Sequence, residues 1–343
     1  MKALVTGGTG FLGGRIAQLL AERGDDVTVT IRDPRRVHPH PAVRTVVADI
    51  TNPGSFSDAF CGIDVVFHTA ARTGVWGPRR AFWNANVVGT RNVIEACLTD
   101  CVARLVYTST PSVVFDHGDL CGVDESQPYS RRFLCAYAES KARAEEQVLA
   151  ANDGGLATVA LRPHLLFGPG DPHLLPRVME RARSGRLRQV GDGENVVDLT
   201  YVDNAAQAHL DAADRLAPAS PCGGKAYFIS NGEPVKLWPW LHSLLARLRL
   251  PAIRTRISLR TAYAAGALLE AVYRLTRVGH EPPMTRFVAL QLAKSHYFEI
   301  SAARRDLGYT PRVSMAEGLS RWLSHSSAPG CAANKSARNA AAR

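Results

Sequence analysis

The stretch Lys2-Ala3-Leu4-Val5-Thr6-Gly7-Gly8-Thr9-Gly10-Phe11-Leu12-Gly13 decides how the rest of the chain is read. Ala3, Leu4 and Val5 read as a short buried strand, and Thr6 ends it. Gly7, Gly10 and Gly13 follow at three-residue spacing, and from Gly13 to Leu20 the apolar residues recur as they do on a helix. A strand, a glycine turn and a helix leave free backbone N–H groups and a positive dipole end where a pyrophosphate can sit. Gly7 permits the tight turn, Gly10 lets the backbone approach the phosphates, and Gly13 lets the helix pack closely on the strand. Thr9, Phe11 and Leu12 lie on the same turn and join the expected cofactor-binding set. A glycine triplet alone reads equally well as an ordinary strand-to-helix turn. Its place after a strand and before a helix points to dinucleotide binding.

The fold this implies is α/β, a doubly wound parallel Rossmann sheet with a smaller mixed C-terminal lobe for the substrate. A length of 343 residues accommodates both. Hydrophobic residues make up 46% and charged residues 21%, which supplies a sizeable core. No segment reaches the roughly eighteen uninterrupted apolar residues of a membrane span. An N-terminus that is itself a core strand argues against a cleaved signal, so the chain is expected in the cytoplasm. The net charge of +10 is nearly all arginine, spread along the sequence. No basic run is interleaved with aromatics, so nucleic acid is not an expected partner; attraction of an anionic substrate accounts for the charge as well. Seven cysteines form no CxxC pair, and no metal site is expected.

Val27 to Ile31 reads as the second strand. Where many dinucleotide folds carry an acidic residue for the ribose hydroxyl, this chain has Ile31, followed by Arg32. Arginine pairs with a 2′-phosphate and a carboxylate would repel it, so NADP(H) is preferred and NAD(H) remains an option. Asp33 turned inward would reverse the choice, and Arg35 and Arg36 read equally as a solvated loop. Val43 to Ala48 is a third strand, with Asp49 and Ile50 at its end. Asp49 suits either the adenine amino group or a cap for the turn that follows. Asp64 to His68 is the fourth strand, and the small residues Thr69, Ala70 and Ala71 leave room beside it for a cofactor. Asn86 lies among apolar residues of a helical segment, so its amide needs partners: a relay water or purely structural groups. Arg104 to Thr110 is the fifth strand, ending in three hydroxyls. Tyr137 and Lys141 then share one face of a helix. An ammonium beside a phenol lowers its pKa toward neutrality, which suits a general acid for carbonyl reduction.

The glycine turn, Asp49, His68-Thr69-Ala70-Ala71, Asn86, Thr108-Ser109-Thr110, Tyr137 with Lys141, and Leu161-Arg162-Pro163-His164 occur in the order of the extended short-chain dehydrogenase/reductases. The chain resembles that superfamily over roughly residues 1 to 324, and within it the 3β-hydroxysteroid dehydrogenase branch. Through Tyr107–Val113, His173–Arg177, Val190–Gly193, Asp198–His209 and Lys225–Pro234 it is similar to the 2-alkyl-3-oxoalkanoate reductases of bacterial olefin and β-lactone biosynthesis. The resemblance implies that Tyr137 is the catalytic tyrosine. It makes Lys141 the lysine that bonds the nicotinamide ribose, and Thr110, with Ser109 as runner-up, the hydroxyl that bonds the substrate oxygen. Pro163 and His164 match the positions that approach the carboxamide. Ser112, His173 and Arg177 are the candidates for touching substrate.

The implied division is a Rossmann domain over residues 1–164 that carries the catalytic residues. A mainly substrate-binding lobe over 165–325 returns elements to it, and a disordered tail occupies 326–343. The apolar run Thr261 to Leu275 reads as a core helix, a wall of an acyl-chain pocket, or a surface against a membrane or partner. The leading function is NADPH-dependent reduction of a long-chain 2-alkyl-3-oxoalkanoate to the 3-hydroxy acid. A 3β-hydroxysteroid or sterol dehydrogenase, a nucleotide-sugar epimerase or dehydratase, and a non-catalytic NADP sensor are the alternatives. The expected partner is a small lipid substrate; peripheral membrane association, a homodimer and a complex with partner biosynthetic enzymes stay open.

Overall fold

The structure, a computed structural model, describes residues 1–172 and 174–327. Its centre is a seven-stranded sheet. Five strands come early: β1 (Lys2–Thr6), β2 (Asp26–Ile31), β3 (Val43–Val47), β4 (Val65–His68) and β5 (Arg104–Thr108). Two more are Ala157–Pro163 and Lys225–Ile229. Their order is Lys225–Ile229, Ala157–Pro163, β5, β4, β1, β2, β3, and every neighbouring pair is parallel. A parallel sheet covered on both faces needs strands that are apolar throughout. Leu4, Val5, Val27, Val29, Val65, Val66, Phe67, Leu105 and Val106 are all fully buried. The strand order reverses beside β1, so a crevice opens at the carboxyl ends of β1 and β4.

One face is covered by α1 (Phe11–Glu22) and the helix Val202–Arg215, which interleave Leu12, Ile16 and Leu20 with Ala205, Ala208 and Ala212. The other face carries the helices Gly89–Thr99 and Ala136–Ala150, which bury Val93, Cys97, Ala144 and Val148. The expected fifth strand is shorter than its sequence suggested. It stops at Thr108, and Thr110 caps a short turn, Pro111–Val113. The segment around Asn86 is also not plain α-helix, since Trp83–Val88 forms a π-helical turn leading into Gly89.

A second, mixed sheet joins Val235–Lys236, Val196–Val197, His296–Phe298 and Leu120–Val123. Around it a separate apolar cluster gathers Leu175, Met179, Val197, Trp238, Leu241 and Trp322. Helix Leu259–Leu275 lies against helix Arg286–Ala293 at Gly266, where a Cβ would come within 2.7 Å of the Thr285 carbonyl carbon. The last helix, Met315–Ser327, runs two residues into the stretch expected to be unstructured; the rest of that tail lies outside the described residues. No described helix is long and apolar enough to cross a membrane.

Candidate active site

The glycine turn has almost no slack. Gly7 has φ +73°, and a Cβ there would sit 2.9 Å from the Ala70 Cα. A Cβ on Gly13 would lie 2.4 Å from Thr69 Oγ1 and 2.5 Å from the Gly7 carbonyl. Gly8, given no role on sequence grounds, is as constrained: its Cβ would meet Val29 at 2.4 Å. Gly10 takes the N-cap position of α1 with no side-chain acceptor, which leaves the first-turn N–H groups of Phe11, Leu12 and Gly13 for an anion. Thr9 and Gly10 are exposed at this end. A cradle that side chains would fill, beside an uncapped helix start, fits a dinucleotide pyrophosphate.

Tyr137 begins the helix Ala136–Ala150 and Lys141 follows one turn later. The Tyr137 phenol lies beside the Thr110 hydroxyl, which draws its pKa down, and burial nevertheless pushes it up to about 12. Lys141 is buried, donates from Nζ to the Thr108 carbonyl at 2.6 Å and lies 4.0 Å over the Tyr107 ring. Burial brings its ammonium down to about 7, opposed by Glu145. The expected lowering of the tyrosine by Lys141 is therefore not what this arrangement gives. Desolvation outweighs attraction at both groups, and the lysine's proton is directed at the Thr108 carbonyl.

Thr110 Oγ1 accepts from the Ser112 backbone at 3.3 Å and donates to Ser112 Oγ at 3.3 Å, so Thr110, Ser112 and Tyr137 form one hydroxyl cluster. Ser109, the alternative hydroxyl, is buried with no partner for its Oγ. Asn86 is braced on every side. Its Oδ1 accepts from Arg72 N at 2.7 Å, and its Nδ2 donates to Arg72 O at 3.1 Å and to Ser140 Oγ at 2.9 Å. Ser140 in turn donates to the Tyr137 carbonyl at 2.9 Å. The structural alternative for Asn86 is thus the one its contacts describe.

Several residues here make contacts that the sequence did not signal. His68 bridges Thr6 at 2.7 Å and Thr90 at 2.9 Å, tying β1, β4 and the helix Gly89–Thr99 under the crevice. Burial, with Lys141 nearby, brings it down to about 3, so it is neutral. Arg162 and Glu145 form a buried pair at 2.5 Å, with the Tyr129 hydroxyl donating to Glu145 at 2.7 Å. This pair fixes the helix of Tyr137 to the strand Ala157–Pro163. His164 follows that strand, and its Nε2 lies 2.7 Å from His296 Nδ1. His296 Nε2 donates to the Gln291 carbonyl at 2.9 Å, so His296 Nδ1 accepts and His164 Nε2 donates. Burial keeps both rings neutral. The one cue was position: His68 and His164 both stand at strand ends.

The end of the crevice at Arg32 and Asp49 is different in kind. Arg32 is exposed and has no ion-pair partner among the described residues. Asp33 does not turn inward; it grips Arg35 through two bonds of 2.9 and 3.0 Å. Asp49 accepts from the Thr51 backbone at 2.9 Å and its hydroxyl at 2.8 Å, which is the turn-capping alternative. Ile50 is buried under Gly89, and Asn92 holds its carbonyl at 2.8 Å. Thr69 donates to the Thr6 carbonyl at 2.7 Å, while Ala70 packs over Gly7 and Ala71 follows on the same edge.

Of the substrate candidates, Ser112 is in the hydroxyl cluster, His173 lies outside the described residues, and Arg177 is paired with Glu281 at 3.0 Å. Two open clefts of about 580 and 530 Å³ lie elsewhere on the surface, and neither is lined by Thr110, Tyr137 or Lys141. Among the described residues no cluster of His, Cys, Asp and Glu could hold a metal ion.

Residues 4–259 match the model of the 3-beta hydroxysteroid dehydrogenase/isomerase family. A 2-alkyl-3-oxoalkanoate reductase of Stenotrophomonas maltophilia is 49% identical over 331 residues, covering 96% of this chain and 100% of that protein. The mouse sterol-4-alpha-carboxylate 3-dehydrogenase, decarboxylating, is 34% identical over 93% of this chain and 89% of its own length. Among solved structures, a dTDP-glucose 4,6-dehydratase double mutant of Streptomyces venezuelae with NAD bound superposes with a TM-score of 0.73 at 25% identity, covering 95% of this chain and 97% of that one. The fold, the order of site elements and these matches agree: the chain belongs to the 3-beta hydroxysteroid dehydrogenase/isomerase family, a branch of the extended short-chain dehydrogenase/reductases whose members are NAD(P)-dependent oxidoreductases acting on CH–OH groups.

Proposed function

We propose that this protein reduces the 3-oxo group of a long-chain 2-alkyl-3-oxoalkanoate to the 3-hydroxy acid with NADPH. The observation that carries the reading is the Thr110–Tyr137 hydroxyl contact, with Lys141 one turn away, in a chain 49% identical along its length to a 2-alkyl-3-oxoalkanoate reductase. The glycine turn with Thr9, Phe11 and Leu12, the residues Thr69 to Ala71, Pro163 and His164 would hold the dinucleotide. Arg32, unpaired and exposed, would meet a 2′-phosphate. When bound, the dinucleotide supplies the hydride.

The protein's own part is protonation and orientation. Thr110 donates a hydrogen bond to the C3 oxygen. Tyr137, protonated with its phenol near 12, gives that oxygen its proton as negative charge builds there. Lys141 stands one turn along the same helix, its charge compensating the phenolate that remains. The buried Asn86–Ser140 and Glu145–Arg162 braces hold the tyrosine's helix still, so little reorganisation is left for the reaction itself.

The test runs in the oxidative direction with NADP⁺, because a 3-oxo acid decarboxylates readily. A long-chain 2-alkyl-3-hydroxy acid, its short-chain analogue and a 3β-hydroxysteroid are compared. Burial contributes about 0.8 kcal/mol per CH₂, so the long-chain acid should exceed the short one in kcat/KM by roughly tenfold or more. A clear preference for the steroid would transfer the protein to the sterol branch, which the mouse relative represents.

A further inference from the structure

Helix Leu259–Leu275 has an outer face that physical chemistry does not expect on a free surface. A surface helix buries one apolar stripe and offers polar residues to water. Here Ala262, Gly266 and Glu270 are turned inward, with Glu270 pairing with Arg286 at 2.8 Å. The side facing out opens with exposed Arg260 and Thr261 and then carries Ala264, Ala265, Leu268, Ala271, Val272 and Leu275, all exposed and all apolar. Leu268 is 67% exposed, Val272 43% and Leu275 85%; these are three of the six large apolar side chains exposed among the described residues. The spacing 264, 268, 271, 272, 275 places them on one line along the helix.

The helix and the sequence leading into and out of it are rich in arginine. Between residues 247 and 277 the sequence has seven arginines, no lysine and no aspartate, and the one acidic residue is the buried Glu270. All seven arginines are exposed. Among the described residues only Arg274 has an acidic partner, Glu270 at 3.5 Å; the others, Arg254, Arg260 and Arg277 among them, have none. Arg274 also lies 5.6 Å over the Trp76 ring, whose edge meets Tyr273 of the same helix at 6.2 Å. Trp76 belongs to the segment after β4 whose Arg72 is held by Asn86, so the helix packs against a segment that runs from the site.

We infer that this helix is an in-plane anchor: its outer face inserts into the interface of an anionic lipid bilayer while these arginines contact the headgroups. An apolar helix face that carries exposed arginines on the same helix and just past its end, too short to span, is what such a surface takes up. A second copy of the chain would bring like-charged arginines together, so it is the poorer occupant. The inference does not depend on the identity of the substrate, and its failure would leave the proposed reaction untouched.

The experiment is vesicle flotation with the full-length protein. The vesicles are either equimolar phosphatidylglycerol and phosphatidylcholine or phosphatidylcholine alone. The wild type should float with the anionic vesicles, bind phosphatidylcholine at least roughly tenfold more weakly, and be released by salt. L268S/V272S/L275S and R254Q/R260Q/R277Q should each reduce binding to anionic vesicles by about tenfold or more. Thermal melting confirms that each variant is folded. L275S, at the end of the helix and almost fully exposed, is the single substitution that keeps the test decisive if the triple does not fold; it should weaken binding measurably. Failure of the wild type to float, or binding indifferent to the apolar substitutions, overturns the inference. So does a wild-type dimer that L268S/V272S/L275S converts to monomer, because the face would then cover a second copy.

Discussion

The two ends of the crevice are built on different plans. At the end of Tyr137 and Lys141, polar groups are buried and joined across elements far apart in sequence: Asn86 to Ser140, His68 to Thr6 and Thr90, Glu145 to Arg162, His164 to His296. At the end of Arg32 and Asp49, polar groups are exposed or half-exposed and bonded to residues two positions away, Asp33 to Arg35 and Asp49 to Thr51. A buried network is costly to leave half satisfied, so its geometry is fixed by packing before any ligand arrives. An exposed local pair exchanges its partner for water or phosphate at little cost. On the proposed reading, the chemical step is set in the core and the choice of cofactor on the surface, where it could be changed without disturbing the fold.

Substitutions that respect this contrast should differ in size. The largest effect belongs to Tyr137→Phe, which removes the proton donor and little volume. Turnover should fall by about 10²- to 10⁴-fold with cofactor affinity retained; steady-state rates near wild type would mean that the reaction does not run through this phenol. Next is Lys141→Met, read through pH. Burial holds the native ammonium near 7 against an ordinary 10.5. Between those values the unfolded chain keeps a proton that the native chain has released, so the lysine's cost is fully present below about 7 and is relieved as pH rises toward 10.5. Melting curves of wild type and Lys141→Met should therefore shift in the wild type's favour with rising pH, by at most about 1.4 kcal/mol per unit. A difference that stays flat would show that the ammonium is not desolvated.

On the other side, Arg32→Ala should raise the Michaelis constant for NADPH roughly tenfold or more and leave that for NADH nearly unchanged, since a charged hydrogen bond contributes about 1.5–3 kcal/mol. Equal effects on both cofactors would remove Arg32 from 2′-phosphate recognition. The smallest change is expected from Arg177→Ala. Its pair with Glu281 is half-exposed, and such pairs contribute about 0–1 kcal/mol, so melting temperature should barely move. A selective loss of kcat/KM for the long-chain acid would show that the guanidinium leaves Glu281 for the substrate carboxylate.

How much of this was legible in the sequence follows the same division by distance. The glycine turn, the strands on either side of it and the Tyr137–Lys141 spacing are local patterns, and a single helix or turn is enough to interpret them. The partners of Asn86 were not legible. Ser140 lies 54 positions away, and the π-helical turn that presents the amide has no periodic signature. The Glu145–Arg162 pair was hidden for a related reason: in the sequence Glu145 belongs to a polar helix and Arg162 to an apolar strand, and only packing makes one answer the other. Lys141 stands one helical turn from Tyr137, as its spacing implies, but the lowering of the phenol expected from its ammonium is not what burial leaves. Spacing on a helix gives proximity, but burial, which decides the charge, is a tertiary property. The outer face of Leu259–Leu275 is the converse case, because the sequence announced its apolarity and could not say which way it would face.

The contact between α1 and the helix Val202–Arg215 also bears on how the molecule is made. Arg15 pairs with Asp203 across 188 positions at 2.7 Å, and the Leu12, Ile16 and Leu20 stripe is closed over by alanines of that later helix. At the usual synthesis rate of about 5–20 residues per second, a ribosome needs on the order of 10–40 s to deliver the second partner after the first. Over that interval a nascent chain already able to pair β1, β2, β3 and β4 presents an uncovered oily ridge. The protein's yield in a cell should therefore hinge less on its final stability than on what shields α1 while translation catches up.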